Sequence, residues 1–141
     1  MNNLEELATW ADPLLKKLGS RERVRLLRKL AITLRRENQR RIRNQKEPGG
    51  ETFAPRKRDN KKPMFAKLPQ ARHIKATATP TNATVLFIKR AANIAAVHHF
   101  GLVDKVDNNG PKIKYPSREL LGFSDTDKKI ITDFFISHLA Q

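Results

Sequence analysis

The chain has 141 residues, no cysteine and a formal net charge of +15 at neutral pH. The lack of cysteine excludes disulfides and thiol catalysis, and no apolar run reaches the roughly 20 residues that a membrane-spanning helix needs. The positive excess is concentrated: Lys16 to Lys75 holds 21 basic and 5 acidic residues, and the remainder holds 8 basic and 9 acidic. Such a block predicts a polyanionic or strongly acidic partner. A merely solvated basic surface is the plainer reading, but it leaves the compact state to bear its own charge repulsion. The length suggests a single domain, residues 1–141, with a modest core.

The first ten residues, MNNLEELATW, are acidic and lack the basic start of a secretion signal, which predicts a protein made in the cytoplasm. Residues 1–19 read as two short amphipathic helices. Leu4, Leu7 and Ala8 face one way, and Asp12-Pro13 reads as the start of a second helix, closed by Gly19. Trp10 reads as a core or lid residue ahead of the alternative, a partner anchor. The longest element is a basic helix from Ser20 to about Lys46. Val24, Leu27, Leu30, Ala31, Leu34 and Ile42 recur at helical spacing, and Asn38 interrupts the stripe. Ser20 is the expected N-cap, and Pro48-Gly49-Gly50 the stop. At 1.5 Å per residue such a helix is about 40 Å long, so other elements must wrap its apolar face. Arg35, Arg36, Arg40, Arg41 and Arg43 populate the other face and suit phosphates or carboxylates.

Residues 47–70 read as a flexible basic arm. Prolines 48, 55, 63 and 69 with Gly49 and Gly50 break regular structure, and Arg56, Lys57, Arg58, Lys61 and Lys62 form charge clusters. Phe53, Met64 and Phe65 are its large apolar residues, fit to pin it to the body or to a neighbour. His73 to Lys89 predicts a hairpin about Pro80-Thr81-Asn82. Ala91 to Val97 suits a tight buried turn or short helix. Two short strands are expected at Leu102 to Val106 and Lys112 to Tyr115, joined by a turn over Asp107 to Pro111. Ser124 and Asp127 predict a capping box for a closing amphipathic helix with Ile130, Ile131, Phe134, Phe135 and Leu139 inward.

A catalytic reading fares poorly. No serine lies in a Gly-x-Ser-x-Gly turn. Asp125 and Asp127 are better explained as acids in a helix first turn than as metal ligands. His98 and His99, being adjacent, point apart, and no His pair has the spacing of a zinc helix. The sequence therefore predicts no enzyme, no cofactor and no metal. Nucleic-acid binding through charge stands as an alternative, without aromatic interleaving for single strands and without a sequence-reading motif.

The order of motifs resembles the phage virion morphogenesis family, the tail completion proteins of contractile-tailed temperate phages. The resemblance rests on Arg41-Ile42, Pro48-Gly49-Gly50, His98 to Gly101, Tyr115-Pro116 with Arg118, and Leu121-Gly122, and spans nearly the whole chain. Two positions depart from the family pattern: His99 where Gln is common, and Glu119 where Pro often follows the Arg. The resemblance implies a structural virion protein in a homo-oligomeric ring, a hexamer, at the head-proximal end of the tail. Its partners would be the tail tube, head-connector proteins and DNA in the channel, with no membrane.

The combined expectation is an α+β fold in which the long basic helix and the C-terminal helix cover a small, largely antiparallel sheet. Either Val85 and Phe87 or Leu86 and Ile88 face inward. His98, Phe100, Gly101, Tyr115, Pro116, Arg118, Leu121 and Gly122 are expected to form a structural corner. In it Phe100 packs inward, Gly101 takes positive φ and Arg118 bonds to backbone carbonyls. The ten cations named above, five on the helix and five on the arm, are the expected partner or polyanion contacts. The alternative function is a non-specific DNA- or RNA-binding accessory protein acting through the basic helix and arm.

Overall fold

A computed structural model describes residues 3–56, 62–105 and 109–140. Its elements are α1 (Asn3–Lys16), α2 (Ser20–Arg43), β1 (Ile74–Ala78), β2 (Ala83–Phe87), α3 (Lys89–Phe100), β3 (Val103–Lys105), β4 (Lys112–Lys114) and α4 (Asp125–Leu139). The class is α+β, as expected, but the strands form two antiparallel pairs rather than one sheet: β1 with β2, and β3 with β4. Ile74 pairs with Phe87 and Ala76 with Val85 in the first; Asp104 pairs with Ile113 in the second.

Helix α2 is shared by two cores. Upstream of Asn38 it contributes Leu26, Leu27, Leu30 and Leu34 to a helical core with Leu7 and Ala11 of α1 and Ile131, Phe135 and Leu139 of α4. Its last turn places Ile42 in a second core with Phe53, Leu68, Ile74, Phe87, Ala91, Ala95 and Leu120. Val85 packs against both, so Val85 and Phe87 are the inward pair on β2. The α4 start follows its sequence: Ser124 Oγ accepts from Asp127 N–H, and the Asp127 carboxylate accepts from Ser124 N–H.

Helix α1 is one helix, not two. It runs through Pro13, so the carbonyl of Thr9 receives no helical N–H. Thr9 and Pro13 are exposed, and water can serve that carbonyl. The burial of Leu7 and Ala11 and the packing of Leu14 and Leu15 on the same core keep the chain helical past the proline. Asp12 is not a cap but pairs with Lys16 at 2.9 Å. At the start of α2 the cap is Gly19, with no side-chain bond, and Ser20 is the first helical residue.

Helix α2 ends at Arg43, three residues before the expected Lys46. The chain closes in a Schellman arrangement: Lys46 N–H donates to Arg41 O at 3.2 Å and Gln45 N–H to Ile42 O at 2.9 Å. Gln45 holds the left-handed conformation (φ 60°) that glycine usually takes there. Pro48-Gly49-Gly50 then forms a tight reversal, with Glu47 N–H bonded to Glu51 O and Lys46 bridged to Thr52. That reversal sends Phe53 into the second core.

The expected free arm is seated on the body over residues 47–56 and 62–70. Phe53, Leu68 and Pro69 are buried. The Gln45 amide pairs with both backbone groups of Met64, accepting from its N–H at 2.7 Å and donating to its carbonyl at 2.8 Å. Gln39 Nε2 donates to Pro69 O at 2.6 Å. Proline content does forbid regular structure here, but Gln39 of α2 and Gln45 just past its end supply hydrogen-bond partners that strands or helices would have supplied.

Candidate interaction site at the basic face and the His98–Arg118 corner

The five arginines at the end of α2 divide into two groups. Arg36, Arg40 and Arg43 are exposed, and Arg40 pairs with Glu37 at 2.6 Å. Arg35 is half-buried, its Nε enclosed without a hydrogen-bond partner. Arg41 turns toward the body. It donates to Leu120 O at 3.0 Å and to the Asn38 side-chain oxygen. Burial lowers its pKa, opposed by Asp127 and then Glu119; a guanidinium remains charged regardless. Arg41 is therefore built into the fold, and the outward basic surface is carried by Arg36, Arg40 and Arg43, with Arg21, Arg25, Arg28 and Lys29 earlier on the helix.

Asn38, which interrupts the apolar stripe in the sequence, is the polar hub beneath Arg41. It is 4% exposed. Its Nδ2 donates to Leu34 O at 2.8 Å, and its Oδ1 accepts from Arg41 and from Gly122 N–H. It thus ties the C-terminal part of α2 to the segment after Arg118. Gly122 is pressed on Pro48, where a Cβ would lie 2.7 Å from the proline Cγ.

Residues 98–101 and 115–122 are brought together at the end of α3. Arg118 N–H donates to His98 O at 2.7 Å, Ser117 Oγ to His99 O at 2.9 Å, and Leu120 N–H to His99 Nδ1 at 3.1 Å. The last bond fixes His99 Nδ1 as an acceptor. Gly101 is the left-handed C-cap of α3 (φ 65°), and a Cβ there would lie 3.0 Å from Ser117 N and 3.1 Å from Tyr115 O. Arg118 is buried and donates to Ala54 O at 2.7 Å and Pro55 O at 3.1 Å. The carbonyls it serves belong to the segment after the Pro48 reversal. Phe100 does not pack inward: it is 68% exposed, because α3 continues to that residue and turns it outward. Leu121 is half-buried against the second core, and Pro116 is exposed.

Above this corner lies an open groove of about 740 Å³, with no carboxylate in its lining among the described residues. Its walls come from four separate stretches, near residues 55, 64, 98 and 115. Met64 and Phe65 stand on one side, Ile113 and Tyr115 on the other, and His98 lies between the rings of Phe65 and Tyr115 at 4.9 and 4.8 Å. Arg56, Lys114 and Arg118 supply its cations; Arg56 is held by the carbonyls of Lys62 and Pro63. Burial, then the neighbouring Arg118, hold His98 below the usual histidine pKa, against a smaller pull from Asp104. Sequence reasoning had marked His98 and Tyr115 but not Met64, Phe65 and Ile113 as their companions, nor Asn38, Gln39 and Gln45. Of the cations expected on the arm, Lys62 is exposed beside this region, while Lys57, Arg58 and Lys61 lie outside the described residues.

Among the described residues no group of three His, Asp or Glu side chains is arranged to hold a metal ion, and no helix is long and apolar enough to cross a membrane. No solved structure matches the chain. Tail completion protein S of Escherichia phage P2 is 36% identical over 150 aligned positions that cover 100% of both chains. The model of the phage virion morphogenesis family matches residues 2–140. With the match running from end to end, the chain belongs to the phage virion morphogenesis family.

Proposed function

We propose that this protein is a non-enzymatic assembly factor of the phage tail, which completes the tail as a homo-oligomeric ring at its head-proximal end and makes the tail competent for head joining. Family membership over the full length carries the tail-assembly role. The ring and its position are supported by the charge distribution. A basic face along α2 is left outward while the apolar side of the same helix serves two cores. A surface of that kind suits acidic faces of the tail tube and connector proteins, with DNA in the channel as a further polyanion. The protein is then a component of the virion tail, made in the host cytoplasm.

The test is substitution of the outward arginines. Arg36→Glu, Arg40→Glu and Arg43→Glu together spare Arg41 and both cores, so the far-ultraviolet circular dichroism and melting profile should stay close to wild type. Phage carrying the triple variant should yield tails that lack the protein and full heads that remain unattached. Normal titres with the variant present in particles would overturn the basic face as the working surface. Retention of the wild type on nucleic acid, falling steeply with salt, together with particles that assemble without it, would favour the nucleic-acid accessory role instead.

A further inference from the structure

We infer that the groove over the His98–Arg118 corner is the receiving half of a head-to-tail contact between copies of this chain, and that the inserted half is the acidic helix α1 with Trp10 at its centre. This inference rests on the ring reading above and names the surfaces that would build it. A heterologous contact needs two different, mutually complementary patches on one molecule, and repetition of such a contact generates a ring when the rotation closes.

Both patches are present. Residues 1–12 carry three acidic and no basic side chains, in a chain whose net charge is +15. Trp10, the sole tryptophan, is 39% exposed on α1, and Ile136 of α4 is 49% exposed beside it. Glu6 lies one turn before Trp10 on the same side of the helix and lines the same surface hollow. An aromatic ring flanked by a carboxylate is the kind of anchor that fills apolar pockets at interfaces.

The groove is complementary in each respect. Its floor is aromatic and apolar, its cations are Arg56, Lys114 and Arg118, and among the described residues no carboxylate lines it, Asp104 acting on His98 from outside the lining. His98 Nδ1 is buried there without a hydrogen-bond partner. Phe65, whose ring forms one wall between Phe53 and His98, holds a left-handed backbone (φ 58°) that a bulky residue rarely adopts. Another exposed apolar stretch, Phe100, Leu102 and Val103, is a poorer occupant. It adjoins the groove's own wall, on a hairpin whose Lys105, Lys112 and Lys114 outnumber its Asp104, so two copies would bring like charges together.

The chain's lack of cysteine makes the test clean. Ile136→Cys, beside Trp10, and Ile113→Cys, combined in one full-length chain and oxidised within assembled tails, should give a disulfide ladder of copies, and neither single variant should. In purified protein at about 0.15 M ionic strength, where charges more than ~8 Å apart are largely screened, Glu6→Lys and Lys114→Glu should each abolish self-association. The double variant should restore it. Wild-type tryptophan emission should shift to the blue as copies associate, and Trp10→Ala should prevent association. Oligomers that form with unchanged emission, no ladder and no response to the charge swap would overturn this contact while leaving the ring intact. A chain found as a single copy in the tail would overturn the ring reading itself.

Discussion

Gly101 and His98 carry most of the consequence at the level of single residues. Gly101 combines a positive φ with two backbone atoms at about 3 Å from where a Cβ would lie, and neither Ser117 nor Tyr115 can yield without moving the corner. Gly101→Ala should therefore destabilise the protein by about 1–3 kcal/mol, read as a lower melting temperature. An unchanged melting temperature would refute the strain. His98 gives a pH signature. Its folded-state pKa is lowered, by burial first and by Arg118 second, so the neutral ring is the form the fold prefers. Stability from this group is present above the ordinary histidine value of about 6.5 and declines as pH falls through it, because the unfolded chain takes up the proton first. His98→Phe keeps an aromatic ring between Phe65 and Tyr115 and removes the titration. Its stability should change less between pH 7 and pH 5 than that of wild type, in paired denaturant titrations.

The elements show why some of the fold could be read in the sequence and some could not. The apolar stripe of α2, the hairpin about Thr79 to Asn82 and the capping box of α4 are local signals: periodicity, turn chemistry and a three-residue spacing. The continuity of α1 was illegible because Asp12-Pro13 is a sound helix start locally, and the packing of Leu7, Ala11, Leu14 and Leu15 overrides it. The seating of residues 62–70 was illegible because it depends on Gln39 and Gln45, whose partners lie 30 and 19 residues away. The groove shares that character, since its walls come from residues near 55, 64, 98 and 115. Gln45→Ala removes both bonds to Met64 while keeping the left-handed residue a non-glycine. Amide exchange at Met64 and its neighbours should then rise well above wild type, with α1 and the N-terminal half of α2 unaffected. Equal protection in the two proteins would assign the seating to Phe53 and Leu68 alone.

For the whole molecule the deciding quantity is the balance between long-range repulsion and short-range complementarity. Each copy carries +15, so two copies repel at any distance within a Debye length, about 30 Å at 0.01 M salt. The contact between Glu6 and the Lys114 rim acts at a few ångströms, and close pairs are screened less than distant ones. These dependences predict a maximum. Pure protein should be monomeric or weakly associated at low salt, where net charge dominates. It should associate most strongly at intermediate ionic strength and weaken again in high salt, where apolar burial of Trp10 acts alone. An acidic template lowers the repulsion without salt, which gives a physical reason for the proposed rings to form more readily on a tail than in free solution. Sedimentation velocity across an ionic-strength series is the measurement. Association that strengthens steadily as salt is withdrawn would show that net charge does not restrain assembly. Association that climbs steadily with salt would show that the contact is apolar, with no contribution from the acidic helix.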